Sequence, residues 1–112
     1  MEFENLEGYG IGHQKPCQIL KEKRLVLELT QKQVAERAGV LLQQYQKFES
    51  GERNIMTCSF QLACKIIEAL EMNVSDFYHG EYYFGEEIFM SPEGLRYKKT
   101  GRLITEDITD QE

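Results

Sequence analysis

Gln43, Gln44, Gln46 and Lys47 crowd into the short segment LLQQYQKFE, where polar side chains recur beside apolar ones. A glutamine amide carries one donor and one acceptor at the spacing of N6 and N7 of adenine, so a Gln near the start of a helix can read a base edge. Leu42 cannot hydrogen-bond, but it can pack on a thymine methyl, and Lys47 can take a guanine edge or a phosphate. The alternative for all of them is an ordinary solvated helix face. The segment that carries them decides between the two.

Other residue types with chemical potential lack the company that chemistry needs. GYGIG (8–12) has the glycines of a phosphate loop, but no strand precedes it and no Lys-Ser or Lys-Thr ends it. His13 and His79 stand alone, with neither HxxxH spacing nor an adjacent cysteine. Cys17, Cys58 and Cys64 are odd in number and form no CxxC pair, so reduced thiols are expected, with Cys64 filling core space and Cys58 in an open loop. The acidic pairs Glu86-Glu87 and Glu106-Asp107 read as solvated charge. Neither catalysis nor a cofactor or metal is expected.

The elements that would position the glutamines are legible. Thr30 and Gln33 fit a capping box that starts a helix. Val34, Ala35 and Ala38 follow at helical spacing, with Ala35 small enough for a second helix to cross closely, and Gly39 supplies the positive-φ stop. Val40, Tyr45 and Phe48 give the next helix its apolar face and leave Leu42, Gln43, Gln46 and Lys47 on the other side.

LTQ at 29–31, Ala35, Gly39-Val40, Phe48-Glu49 and Gly51 resemble the lambda-repressor-like, or Xre, helix-turn-helix family. Arg24 in the first helix and MNVSDFY at 72–78 extend the resemblance over residues 16–78, the span of a five-helix domain. The expected fold class is therefore mainly α, a five-helix lambda-repressor-like DNA-binding domain with a short C-terminal β-rich extension. The resemblance implies double-stranded DNA as partner, a homodimer, and a sequence-specific transcriptional regulator. It assigns base contacts to Leu42, Gln43 and Lys47, flanked by Gln46, while Gln44 opens the helix beside Gln43 as the second amide of a base-reading pair. It makes Gln31 a phosphate clamp at a helix N-terminus, and Arg53 and Asn54 anchors on the DNA backbone. It also implies that Arg24 and Glu49 form an internal ion pair. The chain departs from the family pattern in two places. Leu41 stands where a Ser or Thr often caps the recognition helix. Ile55 replaces a common proline in a connection, IMTCS, about three residues longer than usual.

At 112 residues and 41% hydrophobic content the chain suits one small core with appendages. Its net charge of −6 is unevenly spread: residues 15–65 carry nine Lys and Arg against five Glu, and the remainder four against fourteen acidic residues. A basic domain flanked by acidic segments can still present a positive face to phosphate. Residues 1–15 lack a periodic apolar face and read as a loose arm. Pro16 suits a first helical turn, with Cys17, Leu20, Arg24 and Leu27 on one face. Further helices are expected over 41–50, 59–70 and 74–78, with Phe60, Ala63, Cys64, Ile67 and Leu70 as the fourth helix's stripe.

From 79 to 112 the aromatic and β-branched runs EYYF, EEIFM and LRYKK read as strands. Ile88 and Met90 share one face, Leu95 and Tyr97 the next, and SPEG makes the turn. This extension is a candidate dimerisation element or a site for a protein partner, the latter giving an alternative reading as an antitoxin-like interaction module. The final TEDITDQE is expected to be disordered. No apolar run approaches membrane-spanning length and the first residues are acidic, so the expected compartment is cytoplasmic.

Overall fold

A computed structural model describes residues 16–104; the expected loose arm and acidic end lie outside the described residues. Five helices come first: α1 (Pro16–Val26), α2 (Gln31–Ala38), α3 (Leu42–Ser50), α4 (Phe60–Ala69) and α5 (Val74–Tyr78). Two strands, β1 (Ile88–Ser91) and β2 (Gly94–Tyr97), follow.

Local chemistry sets most helix ends. The Thr30 hydroxyl accepts from the Gln33 backbone N–H while the Gln33 side chain accepts from the Thr30 N–H, so the reciprocal cap forms as its sequence implies. Gly39 closes α2 at φ +72, a conformation that a Cβ would oppose. Ser59 and Asn73 cap α4 and α5 through their side-chain oxygens.

The main core joins Leu20 of α1, Val34, Ala35 and Ala38 of α2, Tyr45 and Phe48 of α3, Ile66 and Ile67 of α4, and Phe77 of α5. Ile55 is buried where the family often has proline, and so plugs the long connection into this core. Two details of the helical faces differ from the expected stripes. α1 ends at Val26, leaving Leu27 outside the helix, and Leu25 is buried in its place. Phe60 is the first residue of α4 and 76% exposed, so the packed stripe is carried by Ile66, Ile67 and Leu70.

The extension folds back onto α1. β1 and β2 pair antiparallel, with Ile88 opposite Tyr97 and Ser91 opposite Gly94, and Gly94 takes a positive φ. Ile88, Tyr97 and Leu25 form a second small core, with Val26, Phe84, Leu95 and Ile104 against it. The EYYF run is not a strand: residues 81–83 are irregular, with Tyr82 packed on the main core and its hydroxyl accepting from the Asn73 N–H. Met90 shares its strand face with Ile88 but reaches beyond the small core and is 71% exposed.

Glu22 holds the attachment. Its carboxylate is 2% exposed and accepts the backbone N–H groups of Gly85 and Glu87 at 2.6 and 2.7 Å. Lys23 pairs with Glu87 at 2.7 Å, and the Tyr97 hydroxyl donates to the Leu25 carbonyl. An isolated hairpin is marginal in water, and these contacts with α1 supply what it lacks.

Candidate nucleic-acid interface

α3 turns one face to the core and one to solvent. Tyr45, Phe48 and Glu49 are buried, whereas Gln43 and Lys47 are exposed and Leu42, Gln44 and Gln46 half-buried. The pattern follows from helical spacing, since residues three and four apart share a face.

Below that face lies a charged network linking α1, α2 and α3. Arg24 and Glu49, with side chains 2% and 5% exposed, meet through two parallel bonds of 2.8 and 2.9 Å, the fork geometry of a guanidinium on a carboxylate. The ion pair implied by the family resemblance is therefore present. Arg24 also donates to the Leu29 carbonyl, and the Tyr45 hydroxyl donates to Glu49. Burial alone would lower the Arg24 pKa, but the bonds and charge of Glu49 raise it instead. Burial, reinforced by the Glu49 charge, lifts the Tyr45 hydroxyl well above the usual tyrosine range.

The network reaches the surface through two glutamines. Gln31 donates from Nε2 to Glu49 at 2.7 Å, and its amide oxygen accepts from Gln46 Nε2 at 3.1 Å. Both side chains are thereby fixed in orientation before any ligand arrives, at the N-terminus of α2 and on the outer side of α3. Spacing along one helix gives no sign of this link, because its members lie fifteen and eighteen residues apart.

The start of α3 is capped from one side only. Leu41 has no oxygen to offer, as its residue type dictates, yet its backbone N–H is accepted by the Gln44 amide oxygen at 3.1 Å. Gln44 is thus a capping residue in the free chain, leaving its amide nitrogen to donate. Gln43, beside it, is exposed, and its amide makes no hydrogen bond among the described residues.

Past α3, Gly51 at φ +89 turns the chain, and Arg53 folds back so that its guanidinium stands 4.8 Å from the Phe48 ring centroid. The Asn54 amide oxygen accepts from the Met56 N–H at 2.9 Å, which fixes the loop, and Asn54 itself is exposed. Arg53 and Asn54 line a cleft of about 300 Å³ with Pro16 and Cys17 at the start of α1. Cys58 is half-buried, not open as its loop position implies, and its thiol contacts the Ile55 carbonyl at 3.4 Å. Burial pushes its pKa up despite the Arg53 charge, so the reactive thiolate is disfavoured.

No helix of the described residues is long and apolar enough to cross a membrane. A helix-turn-helix family model matches residues 20–77, which takes in all of α2, α3 and α4, the last seven residues of α1 and all but the last residue of α5. No curated protein and no solved structure matches the chain. With more than half its length covered by that model, and with the Thr30 cap, the Gly39 turn and the solvent-facing α3 in place, the chain belongs to the lambda-repressor-like (Xre) helix-turn-helix family of DNA-binding regulators.

Proposed function

We propose that this chain is a sequence-specific transcriptional regulator that places α3 in the major groove and acts as a homodimer in the cytoplasm. The observation that carries the reading is the exposed Gln43 amide, without a partner among the described residues and set one turn from Lys47 on the solvent face of α3. In this reading Gln43 takes an adenine edge, Leu42 a thymine methyl, and Lys47 a guanine edge or phosphate, with Gln44 and Gln46 flanking them. Gln31 at the N-terminus of α2 and Arg53 and Asn54 after α3 hold backbone phosphates on either side. Gln31 performs this role while tied to Glu49 and Gln46, a restraint that lowers the entropy lost on binding.

One short helix reads few base pairs, so a two-fold dimer is needed to specify a site. The extension supports a second copy as occupant of its uncovered surface: Phe89 on the outer face of β1, Met90 beyond the small core and Tyr83 before the hairpin all remain exposed although Ile88 and Tyr97 are packed on α1. Selection of binding sites from random duplex DNA tests the function. An imperfect inverted repeat is the expected result, and enrichment of nothing, or of a lone half-site bound by one chain, overturns it. Sedimentation of Met90→Lys tests the interface, with a shift toward monomer expected; an unchanged dimer moves the contact elsewhere. If the chain binds a protein partner yet no duplex, the antitoxin-like interaction module becomes the better reading.

A further inference from the structure

We propose that the turn formed by residues 98–102 is a second phosphate-binding surface, which grips the DNA backbone beside the segment read by α3. The proposal rests on the DNA-binding reading above. KKTGR joins the end of β2 to the bridge between Arg96 and Leu103, and Lys98, Lys99 and Thr100 are all exposed.

The first support is placement. Arg102 donates to Glu28 at 3.1 Å, and Glu28 lies two residues before Thr30, the cap of α2. The turn therefore sits against the connection that leads into the α2 N-terminus, the end at which backbone amides and the helix dipole attract anions. Lys98 and Lys99 line a cleft with Glu28 and Arg102 beside this connection, and a lysine side chain is long enough to meet a phosphate outside the segment read by α3.

The second support is charge. The acidic surroundings are largely neutralised from within: Glu28 pairs with Arg102, Glu87 with Lys23, and Glu93 with Arg96. Lys98 and Lys99 have no ion-pair partner among the described residues. They line a cleft of about 540 Å³ whose remaining carboxylate without an ion pair is Glu86. Among the described residues, two ammonium groups against one carboxylate without an ion pair leave this cleft a local positive balance on a chain whose total is −6.

The third is rigidity. Gly101 at φ +75 donates its N–H to the Tyr97 carbonyl, and its own carbonyl accepts from Arg96, both at 2.7 Å. The Arg102 guanidinium stacks 4.7 Å from the Tyr97 ring centroid. A loop fixed this way presents its lysines without a large ordering penalty.

The test uses the full chain and a duplex recovered by random selection, in a short form ending at the site and a form with about one helical turn of flank on each side. Lys98→Ala/Lys99→Ala changes only exposed side chains, and its circular dichroism should match the wild type. It should weaken binding to the flanked duplex alone, make the slope of log K against log salt less steep by up to about 1.8, and erase ethylation interference at flanking phosphates. Glu28→Gln frees Arg102 and should tighten the same complex. An unchanged slope and unchanged interference in the double variant overturn the proposal, as does equal weakening on both duplexes. Gln43→Ala run alongside separates the two readings: if it relaxes base preference while the lysine variant does nothing, the turn alone fails. If the lysine variant behaves as expected while Gln43→Ala leaves base preference intact, base reading by Gln43 fails and the turn stands. A wild-type chain with no salt-dependent duplex binding removes both.

Discussion

Glu49→Ala should come close to unfolding the protein. Its carboxylate accepts four bonds: two from Arg24, one from the Tyr45 hydroxyl and one from Gln31. Removing it leaves a guanidinium that is 2% exposed without its counter-charge, and breaking a buried pair from one side costs about 3–5 kcal/mol. Domains of this size are stable by about 5–15 kcal/mol, so the loss is a large fraction of the total. Arg24→Met with Glu49→Leu removes both charges and should recover much of it. Recovery stops short because the Tyr45 hydroxyl and the Gln31 amide lose their acceptor, at about 1–3 kcal/mol for a buried group left unsatisfied. Urea unfolding reads both effects as shifts of the midpoint at constant m-value. A Glu49→Ala loss below about 1 kcal/mol, the range of an exposed pair, would refute the buried network.

Glu22→Gln replaces one acceptor oxygen with a donor that faces a backbone N–H, so it should cost about 1–3 kcal/mol and speed hydrogen exchange in residues 85–97 while sparing α2 and α3; equal protection in both variants would refute the latch. Leu41→Ser supplies the missing cap oxygen at a position 68% exposed and should stabilise the domain by about 0.5–2 kcal/mol, read as a higher thermal midpoint; no rise would show that Gln44 already suffices. Burial raises the Tyr45 and Tyr97 pKa values, with Glu49 and Glu28 adding to it, so above pH of about 10 the unfolded chain ionises first. Stability is then fully present below that pH and falls by up to about 1.4 kcal/mol per pH unit for each tyrosine above it. Tyrosinate absorbance should rise together with unfolding for these two side chains, and early, non-cooperative ionisation of all six tyrosines would contradict the burial.

What was legible in the sequence is chemistry that acts over a few residues. Thr30 with Gln33, the Gly39 stop, Pro16 at a first turn and the 74–78 helix need only local hydrogen-bond and φ requirements, and each appears where those requirements put it. The Arg24–Glu49 pair spans twenty-five residues, and family resemblance supplied it. Glu22 was not readable, because its partners lie sixty-three and sixty-five residues away and a carboxylate on a helix resembles any solvated residue. The exposure of Phe60 and Met90 has the same origin: periodicity gives a face, but where the neighbouring element ends decides how far that face is covered. EYYF has strand composition yet lies irregular, since Tyr82 is drawn to the helical core. At the candidate interface the residue types on the outer side of α3 follow from helical spacing, whereas the Gln46–Gln31–Glu49 chain depends on the crossing of α2 and α3.

The central claim is that α3 reads bases through Gln43, and the most direct measurement compares wild type with Gln43→Ala on a selected duplex and its single-base variants. Gln43→Ala should cost about 1–3 kcal/mol on the selected site and lose discrimination at one position per half-site, with the other positions still distinguished. An equal fall in affinity for every sequence, with discrimination intact at every position, would contradict it.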